Sequence, residues 1–108
     1  MAKSAVRRAP LSVTASGISN LSKVPVISIV DDDKSVREGT RRLIRSLGYA
    51  TATFASAEEY LLSDHLQDTS CLITDIKMHG MSGVEMQRRL IADGYRTPII
   101  FMTAFPEE

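Results

Sequence analysis

Three short apolar runs in this chain each stop at an oxygen-bearing side chain: Val-Ile-Ser-Ile-Val at Asp31-Asp32-Asp33, Cys-Leu-Ile-Thr at Asp75, and Ile-Ile-Phe-Met at Thr103. Residues of these types handle hard cations and phosphate. Carboxylates crowded into a small site repel one another, so either some hold protons or a cation neutralises them. Mg2+ suits that task, because it accepts one or two carboxylates and keeps waters that a phosphate can displace. Asp32 and Asp75 are the best candidate ligands. An aspartate left partly free can attack phosphorus and form an acyl phosphate, a labile species suited to a reversible signal. Thr103 can hydrogen-bond a phosphoryl oxygen. Taken alone, an acidic triplet behind a strand is also the pattern of a solvated turn and helix cap. Its recurrence with Asp75 and Thr103 is what points to a site.

For these residues to meet, the runs must be parallel strands whose carboxyl ends share one edge of a sheet. Pro25 to Val30 is rich in β-branched residues and reads as a buried strand. Val36, Thr40, Leu43, Ile44 and Leu47 then recur at helical spacing, with Asp33 placed to cap and Gly48 to stop the helix, so one face is predicted to pack on the sheet. Tyr49 to Phe54 reads as a second, edge strand. Ser56-Ala-Glu-Glu59 has a capping-box pattern and predicts a helix through Tyr60 and Leu61 to about Leu66. Cys71 to Ile76 is the third strand. Ser82, in the turn cluster Gly80-Met-Ser-Gly83, caps a helix carrying Val84, Leu90 and Ile91 that ends at Gly94. Thr97-Pro98 leads into a fourth strand, Ile99 to Thr103. Alternating strands and helices predict an α/β fold, a parallel sheet with helices on both faces.

At 108 residues the chain is at most one domain with a modest core. Thirteen basic and thirteen acidic residues leave no net charge, so no whole-chain electrostatic case exists for nucleic acid or membrane binding. Arg37, Arg41, Arg42 and Arg45 lack interleaved aromatics and read as a solvated helix surface rather than a nucleic-acid patch. The single cysteine, Cys71, lies in an apolar run and reads as a small core residue, in keeping with a reducing cytoplasm. No stretch is long enough to span a membrane, and the first 23 residues have no secretory apolar region. Those residues carry Lys3, Arg7, Arg8 and Lys23 with no acids, a composition shared with organellar transit peptides. A flexible leader over residues 1–23 is the simpler expectation, since so little apolar surface cannot order itself.

Four stretches agree in order and spacing with a known family. Ile-Val-Asp31-Asp32-Asp33, Phe54-Ala-Ser-Ala-Glu58, Leu-Ile-Thr-Asp75-Ile-Lys-Met-His-Gly80-Met-Ser-Gly83 and Ile-Ile-Phe-Met-Thr103-Ala104 together resemble the receiver domain of bacterial two-component response regulators, most closely the FixJ and NarL type. The resemblance covers residues 24–108 and implies a flavodoxin-like (CheY-like) doubly wound sheet of strand order 2-1-3-4. It implies Asp75 as the phosphoacceptor, loaded by a sensor histidine kinase. Asp32 would bind Mg2+ directly, Asp31 through water, and Lys77 through its backbone carbonyl. Thr103 would be the switch hydroxyl that moves toward phosphorylated Asp75, a local charge event read out elsewhere, in this family type by a transcriptional output domain. Such a protein is a signalling receiver, with self-phosphotransfer and autodephosphorylation as its only chemistry.

Three departures accompany the resemblance. His79 stands where the family usually has proline, and reads as a surface-loop histidine without a direct role; with His65 and Cys71 it shows no zinc-ligand spacing. The family's fifth strand and last helices, with their phosphoryl-contacting lysine and aromatic switch residue, have no counterpart, so the expectation is a receiver truncated after its fourth strand; Lys77 matches a different position. Third, Ile99 to Thr103 would form an open apolar edge inviting self-association. Two other readings compete. A haloacid-dehalogenase-like phosphotransferase would use Asp31 as nucleophile and Asp33 as general acid, but needs a lysine and an acidic pair after Thr103. A truncated decoy or fragment would bind kinases without completing phosphotransfer. A calcium loop from Asp31 is excluded, because Val36 stands where glycine is needed and Arg42 where the bidentate glutamate belongs.

Overall fold

The run of β-branched residues after Pro25 becomes β1 (Val26–Val30), with Ile29 and Val30 wholly buried. The computed structural model describes residues 24–102; the expectations for residues 1–23 and for Thr103 lie outside the described residues. α1 (Lys34–Ser46), β2 (Ala50–Phe54), α2 (Ala57–Leu61), β3 (Thr69–Asp75), α3 (Gly83–Ala92) and β4 (Ile99–Met102) follow. All strand pairs are parallel, in the order β2-β1-β3-β4. The chain leaves β1 for a neighbour on one side and later returns to the other side for β3. The topological switch point therefore lies between β1 and β3, where open α/β sheets bind ligands.

Period-two alternation assigns the two faces of the sheet. On one face Val30, Phe54, Ala57, Tyr60, Leu72, Met86 and Leu90 form the main buried cluster, covered by α2 and α3. Tyr60 also closes a buried hydroxyl junction. Thr69 Oγ1 donates its one proton to the His65 carbonyl oxygen (2.6 Å), and accepts from the Tyr60 hydroxyl (3.0 Å). Ser28 Oγ, 2.7 Å away, must then be a second donor to Thr69. Every polar group in this stretch of core is thereby matched, as burial requires.

The opposite face is thinner: Ile27, Ile29 and Ile73 are buried, with Ile44, Cys71 and Met102 packed against them. Here the predicted apolar face of α1 needs correction. No residue of α1 is buried, and Val36, Leu43 and Leu47 are 45, 60 and 64% exposed. The helix meets β1 and β2, so its apolar stripe is wider than the surface it covers. Ile44 is its contribution to the cluster beneath.

Two boundaries also differ from the sequence expectation. α2 ends at Leu61 rather than near Leu66, because Ser63 Oγ donates to the Tyr60 carbonyl (2.7 Å) and accepts from the His65 N–H (3.1 Å), replacing helix bonds with a turn. Ser56 caps α2 by accepting from the Glu59 N–H, but Glu59 reaches back to the Ala55 N–H instead of the cap residue's own. The reciprocal capping box is complete at α3, between Ser82 and Glu85.

Candidate functional site at the carboxyl ends of β1 and β3

Register decides which residues meet. Val30 pairs with Thr74 across β1 and β3, so the next residues, Asp31 and Asp75, stand side by side at the carboxyl edge of the sheet. Asp31 is 2% exposed. Its N–H donates to the Phe54 carbonyl (3.1 Å), its Oδ1 accepts from the Asp33 N–H (2.9 Å), and its carbonyl accepts from Arg37 (2.7 Å). Backbone and side chain are thus held from three directions. One carboxylate oxygen from each of Asp31, Asp32 and Asp75 lies within 4.8 Å of the others. At an effective dielectric of 20, one pair of full charges that close repels by about 3.5 kcal/mol.

The local electrostatics treat the acids differently. Burial pushes the Asp31 carboxyl above its ordinary value; the Asp33 N–H works against this, and the charges of Asp75, Asp32 and Asp33 add to it. Asp32 moves the other way, because its Oδ2 accepts from the His79 N–H (2.9 Å) and lies 2.8 Å from His79 Nδ1. Asp33 is not part of the cluster. Its Oδ1 accepts from the Ser35 and Val36 N–H groups, capping α1 as the sequence predicts.

The loop after β3 is anchored at both ends. At its far end the Gly83 N–H donates to the Ile76 carbonyl (2.8 Å), and a Cβ on Gly83 would overlap the Asp75 carbonyl oxygen. Only glycine lets α3 begin this close to the strand end. Nearer the middle, Gly80 has φ +77°, and Glu58 Oε2, reaching over from α2, accepts the Met81 N–H (3.0 Å). Lys77 lies on this loop two residues beyond Asp75.

Of the sequence-predicted site residues, Asp31, Asp32 and Asp75 come together, Lys77 is on the adjoining loop, and Thr103 lies outside the described residues. Two participants escaped the sequence reading. His79, expected to have no direct role, contacts Asp32, and Glu58, given no role of its own within its stretch of resemblance, pins the loop. The departure at His79 from the family's proline was the available signal for the first. Contacts across 47 and 23 residues leave no local periodicity to detect.

The family model of the response regulator receiver domain matches residues 27–108. This chain belongs to that family. Among curated relatives, the response regulator protein TodT of Pseudomonas putida is 39% identical over 81% of this chain. The receiver spans about two-fifths of that relative's length, 39%. Among solved structures, the response regulator StyR superposes with a TM-score of 0.72 at 42% identity, over 79% of this chain and 43% of that one. The response regulator TrrA of Thermotoga maritima, crystallised with Mg2+ and BeF, gives a TM-score of 0.69 at 30% identity, over 75% of this chain and 70% of its own. The four-stranded 2-1-3-4 sheet is thus a receiver sheet, and Asp31, Asp32 and Asp75 form the acidic cluster of a two-component signalling domain. No helix among the described residues is long and apolar enough to cross a membrane.

Proposed function

We propose that this receiver accepts a phosphoryl group on Asp75 from the phosphohistidine of a sensor histidine kinase. The observation that carries the reading is the position of Asp75: beside a desolvated acid, at the switch point, in a chain of this family. An Asp75 carboxylate oxygen attacks phosphorus, the P–N bond to the kinase histidine breaks, and the departing nitrogen keeps the bonding pair. The donor set fits a hard divalent cation, since three crowded carboxylates, one held above its ordinary pKa, are a neutralisable excess of charge. Asp32 and Asp75 would hold Mg2+ directly, the Lys77 carbonyl would add a ligand, and Asp31 would act through water. When bound, Mg2+ supplies charge neutralisation to the carboxylates and the transferring phosphoryl group. Thr103 is the proposed switch hydroxyl, carrying the event toward a transcriptional output domain of a longer cytoplasmic protein.

Incubating the chain with Mg2+ and a small acyl phosphate, then measuring intact mass, tests this. One added phosphoryl group, lost in Asp75→Asn, is the expected result. Loss in Asp31→Asn alone would favour the haloacid-dehalogenase-like reading, which the structure disfavours because Asp33, its general acid, is engaged in capping α1. No mass gain where a full-length receiver is modified would favour a decoy. Self-association through the apolar edge at β4, where Ile100 is 53% exposed, predicts a concentration-dependent mass by sedimentation; a monomer at all concentrations refutes it.

A further inference from the structure

Both contacts that His79 makes with Asp32 fall on the same atom. The main-chain N–H at 2.9 Å and Nδ1 at 2.8 Å converge on Oδ2, bridging the loop after β1 to the loop after β3. A carboxylate oxygen offers two lone pairs. His79 therefore fills Oδ2 and leaves Oδ1, which has no hydrogen-bond partner among the described residues, as the donor oxygen of Asp32. The His79 side chain is otherwise fully exposed, whereas that of Asp32 is only 26% exposed, so the ring has no packing reason to lie where it does. The main-chain half of this clamp is available only because residue 79 is not proline, which has no N–H.

We propose that His79 is a positioning residue: it fixes the Asp32 carboxylate through Oδ2 so that Oδ1 is presented to the cation bound at Asp31, Asp32 and Asp75. This rests on the Mg2+ reading above and assigns a role to a residue outside its ligand set. Partners that orient a metal ligand typically contribute ten- to a hundredfold in metal affinity. Because the ring is exposed and only one of the two bonds is removed, His79→Ala sits at the low end, about tenfold weaker Mg2+ binding. His79→Asn, whose Nδ2 stands near the place of Nδ1, restores most of that affinity.

Calorimetric titration of the 108-residue chain and both variants with Mg2+ alone tests the assignment, with thermal melts in chelator showing that each variant folds. In parallel, imidazole 15N NMR of the wild type should find a proton on Nδ1, and Asp32→Ala should change that signal. Equal or tighter Mg2+ binding by His79→Ala overturns the assignment, as does failure of His79→Asn to recover when His79→Ala is impaired. Absence of Mg2+ binding by the wild type overturns both this assignment and the metal reading beneath it, whereas normal wild-type binding with an indifferent His79→Ala removes His79 alone.

Discussion

Replacing Asp31 by asparagine should stabilise the cation-free protein at neutral pH and abolish its stabilisation by Mg2+. Asp31 is 2% exposed, and its carboxylate lies within 4.8 Å of those of Asp32 and Asp75. Each full-charge pair repels by about 3.5 kcal/mol at an effective dielectric of 20. Solvent at the partly exposed partners and salt reduce this, so the expected net gain is about 1–2 kcal/mol. Asparagine keeps the oxygen that accepts the Asp33 N–H, and its neutral amide removes a negative charge from beside the Asp32 and Asp75 carboxylates. For a domain of this size such a gain raises Tm by roughly 5–15 °C. The pH dependence has a definite sign. Because the folded-state pKa of Asp31 is raised above 3.8, the folded protein holds that proton more tightly than the unfolded chain, so stability falls as pH rises from about 3.8 through the folded pKa. Asp31→Asn removes that decline, so its advantage should be present at pH 7 and vanish in acid below both values. Urea denaturation at several pH values, in chelator and in excess Mg2+, measures all of this. A less stable Asp31→Asn protein at pH 7 in chelator, or equal stabilisation of both proteins by Mg2+, refutes the reasoning.

Two further substitutions probe what holds the site in place. Gly83→Ala drives a methyl into the Asp75 carbonyl, a main-chain group that cannot swing aside, and should cost about 1–3 kcal/mol in urea unfolding. It should also slow acyl-phosphate labelling of Asp75, whereas Gly39→Ala, where a Cβ meets nothing within 4 Å, should not. Thr69→Val removes the shared acceptor of the buried hydroxyl junction, stranding Ser28 and Tyr60, and should cost about 2–3 kcal/mol. Tyr60→Phe leaves Thr69 with Ser28 as donor and should cost only about 1 kcal/mol; equal losses in the two variants would contradict the assigned proton directions.

The strands were legible because β-branched runs bounded by acids or by Thr-Pro leave few alternatives, and β1, β3 and β4 appear within two residues of expectation over the described residues. The caps at Asp33 and Ser82 were equally readable, since they depend on residues three apart or fewer. The failures share a cause. α2 is short because a hydroxyl at Ser63 competes with the helix, and α1 is exposed because its apolar stripe exceeds the strands beneath it. The first is local but competes with an apolar pattern that ignores hydroxyls, and the second depends on the sheet surface, which the helical pattern does not contain. At the site, the meeting of Asp31, Asp32 and Asp75 followed from topology, whereas the tethers from His79 and Glu58 depend on where the loop after β3 passes in space, beside Asp32 and beside α2.

The site draws on stability in two opposed ways. Burying Asp31 among like charges weakens the cation-free fold, while the His79 bonds lower the pKa of Asp32 and strengthen it wherever that carboxylate is ionised. These terms cannot substitute for one another, because one acts on a desolvated group beneath the site and the other on a group at its rim. What tolerates the unfavourable term is the strand that carries it. Ile27, Ile29 and Val30 are buried on the two faces of the sheet immediately before Asp31. Displacing the acid outward would therefore pull several buried side chains from their clusters, at a cost above the roughly 1–2 kcal/mol of repulsion that displacement would relieve. The carboxylates stay together because the hydrophobic register of β1 and β3 holds them there, and a cation is the cheaper route to relief.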